Sequence, residues 1–199
     1  MIQGYDGGAL LSQLEGLAAP QRRAFSAACA EAVLRHFGSV SVAGEPTGTA
    51  QCERAVHLCW DAVERGADEV GASETVELLR AELEGILSED EEGELEVMEH
   101  VIAGAYYALE SSRAGDAGQA ELVAKNLYEA ADYVVMSGPS IDLADSRARR
   151  EILASDVVQR TLSGIVRIRD LVATRTFHGD GLAVEISEVR EFVGQGMGG

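Results

Sequence analysis

Residues 20–37, PQRRAFSAACAEAVLRHF, decide the fold class of this chain. The leading proline suits the first position of a helix, where its missing N–H would be unbonded in any case. Six of the residues that follow recur at three- and four-residue steps, the spacing that places side chains on one face of a helix. They are Phe25, Ala28, Cys29, Ala32, Val33 and His36. The stretch therefore predicts an amphipathic helix that packs into a core.

Similar periodicity recurs on both sides of this stretch. We expect further helices along the chain. The first three lie over residues 9–18, over 49–65 and from an N-cap at Ser73 onward. The others run from about 97 to Gly115, from an N-cap at Asp116 to Gly138, over 143–176 and, as a short element, over 182–193. The sequence thus predicts an all-α fold, a single bundle of six to seven mostly antiparallel helices. We expect this single helical domain at 9–193, between a flexible N-terminus at 1–8 and a flexible Gly-rich tail at 194–199.

The composition supports this fold class. Hydrophobic residues make up 46% of the 199 and aromatic residues only 5%, which favours packed helices over a β-sandwich. Cys29, Cys52 and Cys59 cannot all pair, and each falls on the apolar side of a helical pattern, which indicates core positions and a reducing compartment. No leader is evident, and no apolar run approaches the ~18 residues that cross a bilayer. We therefore expect a cytoplasmic protein. Of its 16 basic residues only Lys125 is a lysine, which indicates a GC-rich bacterial genome.

Acidic residues outnumber basic ones 34 to 16, for a net charge of −18. The excess is concentrated between Glu74 and Glu99, which holds 11 acids and one base, Arg80. A strong field of one sign repels nucleic acid and anionic membranes and attracts cationic surfaces. We expect a protein partner with a basic surface, and neither nucleic acid nor membrane. The residues expected to bind it are Glu84, Glu89, Asp90, Glu91, Glu92 and Glu94.

Arginines are concentrated in the last long helix, predicted at 143–176. Opposite charges on separate helices suggest that this helix packs against the acidic stretch, which would neutralise the arginines within the chain. The arginines are Arg147, Arg149, Arg150, Arg160, Arg167, Arg169 and Arg175.

Two residue pairs have a spacing that could hold a metal. Glu53 with His57, and Glu96 with His100, each place a carboxylate and an imidazole one helical turn apart. Di-iron bundles use a spacing of three rather than four, so surface ion pairs are the simpler interpretation.

Residues 88–99 follow the ligand pattern of a calcium-binding EF-hand loop in part. Asp90, Gly93 and Glu99 occupy positions 3, 6 and 12, but position 1 is Ser88, and a solvated acidic turn is the simpler interpretation. We find no motif for nucleophilic catalysis or phosphate binding. We therefore expect no catalytic residue and no cofactor, and we favour a protein that is not an enzyme.

Three functions remain open. The first is an acidic binding module, in its concrete form an inhibitor or immunity-type protein that presents Glu74 to Glu99 to a basic partner. The second is a metal-dependent helical enzyme, which requires the two Glu/His pairs to converge. The third is a homodimeric structural protein, which an exposed apolar patch on residues 97–108 or on the last helix would favour.

Several short matches along the chain carry a family resemblance. They are Leu14-Glu15-Gly16-Leu17, Gln21, Phe25, Cys29, Glu31, Arg54, Leu58, Trp60 and the small-residue helix Ile102 to Glu110. In these residues the chain resembles the uncharacterised bacterial helical proteins grouped as domain of unknown function 416, often called YjaG-like. The resemblance spans most of residues 10–175, but at 38–48, where the family has an aromatic-rich stretch, this chain has small residues that we expect to be flexible. The resemblance implies an all-helical fold. The family has no established activity, so no catalytic residue can be assigned in this chain from the resemblance.

Overall fold

A computed structural model of the chain describes residues 3–38, 49–66, 72–88, 96–138, 141 and 144–196. Within these ranges the chain forms nine α-helices, one 3-10 turn and no strand. The helices are α1 (Gly7–Glu15), α2 (Ala19–Phe37), α3 (Thr49–Arg65), α4 (Ala72–Ser88), α5 (Glu96–Ala114), α6 (Ala117–Met136), α7 (Ala148–Ala154), α8 (Asp156–Ala173) and α9 (Leu182–Gly194), with the 3-10 turn at Gly179–Gly181. The all-α class is confirmed, although the described helices number nine rather than six or seven. None of them combines the length and apolarity needed to cross a bilayer.

Helix α2 lies at the centre of the molecule. It packs against α3, α5, α6, α8 and α9. Every residue from Ala24 to Val33 is buried, including the polar Ser26 and Glu31. Alanine is frequent in this stretch, and its small side chain lets neighbouring helices approach closely. The helix predicted to bury one face is therefore buried on all sides over this part of its length.

The first turn of α2 ties together distant parts of the chain. The side-chain oxygen of Gln21 accepts a hydrogen bond from the N–H of Ala18 at 2.7 Å, and its amide donates to the carbonyl of Arg175 at 2.8 Å. The guanidinium of Arg22 donates to the carbonyl of Gly115. These bonds join the start of α2 to the end of α8 and to the turn between α5 and α6.

Helices α5 and α6 pack along each other and against α2. Their connection depends on Gly115, whose φ of +64° lies in the region that favours glycine. A Cβ at this position would lie 2.7 Å from the Cβ of Ala19. The carboxylate of Asp116 then accepts a hydrogen bond from the N–H of Gln119 at 2.8 Å and caps α6, as the sequence predicted.

The single long helix expected at 143–176 is broken at Ser155. This residue is extended, with φ −63° and ψ 148°, and its hydroxyl accepts a hydrogen bond from the N–H of Val158 at 3.3 Å. It therefore ends α7 and caps α8. Asp156 places a carboxylate in the first turn of α8, at the positive end of the helix dipole.

The predicted packing of the acidic stretch against the arginine-rich helix is wrong. Helix α4 packs on α3 and α5, whereas α8 packs on α2, α6, α7 and α9. Arginines of the α7 and α8 region pair instead with acids on α6, α8 and α9. These pairs are Arg149 with Asp132 at 2.7 Å, Arg160 with Asp156 at 4.0 Å and Arg175 with Glu188 at 2.7 Å. Burial of apolar side chains, and not the net charge of each helix, sets which helices are neighbours.

The core contains thiols and a buried pair of hydroxyls. Cys29, Cys52 and Cys59 are free and buried, which confirms their interpretation as core residues. Burial raises the pKa of all three thiols, that of Cys52 to about 12. The hydroxyls of Ser26 on α2 and Ser111 on α5 lie 2.8 Å apart and bond to each other. The core therefore satisfies these hydroxyls within the protein.

Candidate functional site

The buried carboxylate of Glu31 is the centre of a polar cluster where α2, α3 and α9 meet. Glu31 is only 3% exposed. Its Oε1 accepts hydrogen bonds from Nε and Nη2 of Arg35 at 2.9 and 2.7 Å. Its Oε2 accepts from Nε1 of Trp60 at 2.8 Å and from Nε of Arg190 at 3.3 Å. A buried carboxylate is tolerated when it is paired and hydrogen-bonded in this way.

Three helices position the members of this cluster. A spacing of four residues brings Glu31 and Arg35 to one face of α2. Trp60 is 4% exposed on the buried side of α3. Arg190 follows Val189, a fully buried residue through which α9 packs on the bundle. The Arg190 guanidinium also lies 5.8 Å from the centroid of the Trp60 ring, within the distance of a cation–π contact.

Two surface clefts adjoin the cluster, with volumes of about 460 and 640 Å³. Both are lined by Arg35, His57 and Arg190. Glu31 and Glu53 also line the smaller cleft. Clefts of this size are suited to small ligands.

The larger cleft contains charges of both signs. His57, Asp61 and Glu64 lie on α3 at steps of four and three residues, so they share one face of the helix. Arg35 and Arg190 retain side-chain exposures of 50% and 40%, and in the described part of the chain they pair only with Glu31. Two guanidiniums thus share one carboxylate, which leaves excess positive charge and unused N–H donors at this end of the cleft.

Helix α4 presents a second charged surface, which we call the α4 face. Glu74, Glu77 and Glu84 are exposed on it, and Leu78 on the same side of the helix is 46% exposed. Buried Val76 and Leu79 hold the opposite side of the helix against the core. The α4 face is therefore an acidic surface with an apolar residue within it.

Two acids of the α4 face have a basic neighbour. Glu74 lies 3.6 Å from Arg54, and Glu77 lies 2.9 Å from Arg80. Such exposed pairs contribute little in water, because solvent competes for both charges. Glu84 makes no ion pair with any residue that the structure describes.

Only one of the six acids predicted to bind a partner is described by the structure. Glu84 is exposed on α4. The other five lie outside the described residues: Glu89, Asp90, Glu91, Glu92 and Glu94. Most of the EF-hand-like stretch at 88–99 lies there too. These assignments stay predictions.

The structure describes the side chains of three of the four residues proposed to hold a metal, and these three do not form a metal-binding group. Glu53 and His57 are exposed on α3 and line the smaller cleft. His100 is directed toward α6, where its Nδ1 lies 3.2 Å from Oδ1 of Asn126. The side chain of Glu96 lies outside the described part of the chain. Across the described ranges no group of three or more His, Cys, Asp or Glu side chains could hold a metal ion.

The apolar residues expected to favour a homodimer are buried in α5. Val97, Val101 and Ala108 are at most 6% exposed. On α8, Val157 and Val166 are 40% and 38% exposed, but their nine-residue separation places them on opposite sides of the helix. These side chains do not make one continuous apolar patch.

Sequence reasoning missed the cluster around Glu31. In the sequence analysis, Glu31 and Trp60 are named only within the family resemblance. The Glu31/Arg35 pair is a signal that could have revealed the cluster, since a carboxylate among small apolar residues requires a partner. Arg190 lies 159 residues away from Glu31, so no local pattern indicates it.

The architecture defines the class of protein, an all-α bundle built around one central buried helix. The chain is similar to the crystal structure of a DUF416 family protein from Shewanella baltica OS155, with a TM-score of 0.70 over 97% of this chain and 94% of that chain. The chain therefore has the fold of a DUF416 family protein, which confirms at the level of the fold the resemblance seen in the sequence. Sequence identity is 14%, so the likeness extends to the fold alone. No family model and no curated protein matches the chain.

Proposed function

We propose that this protein is an acidic binding module that recognises a protein partner with a basic surface through the α4 face. The observation that supports the proposal is that Glu74, Glu77 and Glu84 remain exposed. The arginine-rich α8 packs elsewhere, on α2, α6, α7 and α9. The exposed pairs of Glu74 with Arg54 and of Glu77 with Arg80 contribute little in water, so these acids can still interact with another molecule.

The chemistry of the α4 face suits a protein partner. Protein interfaces commonly combine an apolar centre with a polar rim, and Leu78 lies among acids in this manner. A net charge of −18 would speed the approach of a cationic partner by long-range attraction. In its concrete form the protein is a cytoplasmic bacterial inhibitor or immunity-type protein, and its partner is a basic toxin domain or a nucleic-acid-handling enzyme.

The test compares two variants of equal charge. The first neutralises the α4 face with Glu74→Gln, Glu77→Gln and Glu84→Gln. The control neutralises three exposed acids elsewhere, Glu151→Gln, Asp156→Asn and Asp180→Asn. Each variant removes three negative charges, so both change the net charge of the protein by the same amount.

Each protein is immobilised and exposed to a lysate of its own host at low salt, and the eluates are analysed by native mass spectrometry. We expect the unmodified protein and the control to retain a basic partner that high salt releases, and the α4 variant to retain much less. Equal retention by the two variants would show that the α4 face is not the binding surface.

A further inference from the structure

We propose that the larger cleft, between α3 and α9, binds a basic amino acid such as lysine, ornithine or arginine. Arg35 and Arg190 hold the carboxylate of the bound amino acid, and Asp61 and Glu64 hold its side-chain cation. This cleft is separate from the α4 face, so the inference does not depend on the proposed protein partner.

The carboxylate end is defined by the two guanidiniums that Glu31 holds in place. A guanidinium has five N–H donors. Arg35 bonds to Glu31 through Nε and Nη2, and Arg190 bonds to it through Nε alone. Within the described residues, Nη1 of Arg35 and both Nη groups of Arg190 have no hydrogen-bond acceptor. Guanidinium groups match the planar geometry of a carboxylate, and His57 lines both clefts together with these two arginines.

The buried position of Glu31 prepares this end for a ligand. Its side chain is 4% exposed and is also fixed by the indole N–H of Trp60. Because both guanidiniums are anchored to a carboxylate that is itself fixed, less side-chain freedom is lost when a ligand binds.

The acids of the cleft argue against a simple anion. Asp61, Glu64 and Glu191 line the same cleft. These acids and the net charge of −18 would repel inorganic phosphate. A ligand with a carboxylate and a cation meets an opposite charge at both ends.

The spacing along α3 selects a ligand whose charges are well separated. Asp61 and Glu64 lie four and seven residues beyond His57, which corresponds to roughly 6–10 Å along the helix axis. The ammonium and carboxylate of a simple α-amino acid are joined through one carbon and are too close to span this separation. The extended side chain of lysine carries a second cation far enough from the carboxylate to reach the acids. The cleft volume of about 640 Å³ accommodates a molecule of this size.

Calorimetric titration with matched compounds tests the inference. L-lysine carries both charged ends, Nε-acetyl-lysine lacks the side-chain cation, and 1,5-diaminopentane lacks the carboxylate. We expect L-lysine to bind, and the other two compounds to bind at least about tenfold more weakly. The absence of binding by lysine, ornithine and arginine at millimolar concentration would overturn the inference, as would tighter binding of inorganic phosphate than of lysine.

Two variants locate the site, each with a matched control. Asp61→Asn is compared with Asp156→Asn, and Arg190→Met with Arg160→Met; both control residues are exposed on α8. Asp61→Asn is expected to weaken lysine about tenfold or more while leaving the binding of Nε-acetyl-lysine unchanged. Arg190→Met is expected to weaken both compounds.

Because Arg190 also bonds to Glu31, circular dichroism establishes whether the Arg190→Met variant folds. Asp61 lies outside the hydrogen bonds of Glu31, so its variant tests the site even if the arginine variant is unfolded. Equal affinity of the Asp61→Asn and Asp156→Asn proteins for lysine would exclude the proposed cleft.

Discussion

Replacing Glu31 tests whether its carboxylate holds α2, α3 and α9 together. Glu31→Leu removes the acceptor of four hydrogen bonds and leaves the Nε1–H of Trp60 without a partner. Glu31→Gln keeps one acceptor oxygen, but it removes the charge and replaces the other oxygen with an NH2 donor, which cannot accept the two hydrogen bonds made there. The two variants therefore compare the loss of both acceptor oxygens with the loss of one oxygen and the charge.

The expected cost follows from the exposure of each partner. Trp60 is 4% exposed, so an unsatisfied indole N–H there costs about 1–3 kcal/mol. Arg35 and Arg190 are 50% and 40% exposed and regain water when the carboxylate is lost, so each pair adds no more than about 0.5–1 kcal/mol. We expect Glu31→Leu to lower the free energy of unfolding by about 2–4 kcal/mol, and Glu31→Gln by about 1–2 kcal/mol.

Urea unfolding measures these free energies. Trp60 is the single tryptophan of the chain, so its fluorescence reports the environment of the cluster directly. Far-ultraviolet circular dichroism follows the helices independently, and agreement between the two transitions establishes two-state unfolding.

A double-mutant cycle with Trp60→Phe tests the cause of the loss. We expect Trp60→Phe to cost less in the Glu31→Leu protein than in the unmodified protein, by about 1 kcal/mol or more. A coupling of zero, or a loss of less than about 1 kcal/mol in the free energy of unfolding of Glu31→Leu, would show that Glu31 does not hold the three helices together.

Two further predictions concern the core. Ser26→Ala removes the 2.8 Å hydrogen bond to Ser111 and leaves that buried hydroxyl only a long bond of 3.4 Å to the carbonyl of Asp116, so it should cost about 1–3 kcal/mol in urea unfolding. The double variant Ser26→Ala/Ser111→Ala should recover part of that loss, and a double variant less stable than both single ones would contradict this. Burial and the raised pKa keep the thiols of Cys29, Cys52 and Cys59 protonated at pH 8. Iodoacetamide should therefore label them slowly in the folded protein and rapidly in urea. Rapid labelling of the folded protein would contradict this prediction, because it would show that a thiol is accessible.

Local signals predicted much of the helical structure. The third helix was predicted over the same residues as α3, Thr49–Arg65, and Asp116 was identified as the cap of α6. The break at Ser155 was missed because apolar periodicity continues on both sides of it, although Ser155 followed by Asp156 is a typical helix start.

Long-range pairing could not be predicted from local patterns. The acidic and arginine-rich helices were expected to be neighbours because their charges are opposite, but exposed charges contribute too little to decide packing. The Glu31 cluster joins α2 to α9, and nothing in the sequence near either residue specifies that contact. His57 was considered as a metal ligand or as part of a surface ion pair with Glu53, whereas the structure places it in the lining of both clefts with Arg35 and Arg190.

The central position of α2 affects the order in which the chain can fold during synthesis. The helix leaves the ribosome early, while most of its packing partners, α5, α6, α8 and α9, are made later. At about 5–20 residues per second, roughly 100 residues separate the completion of α2 from that of α6, an interval on the order of 5–20 s. During that time the apolar surface from Ala24 to Val33 has α3 as its first available packing partner. The nascent chain is therefore exposed to aggregation until α6 emerges, and a chaperone that shields α2 over those seconds would raise the yield of native protein.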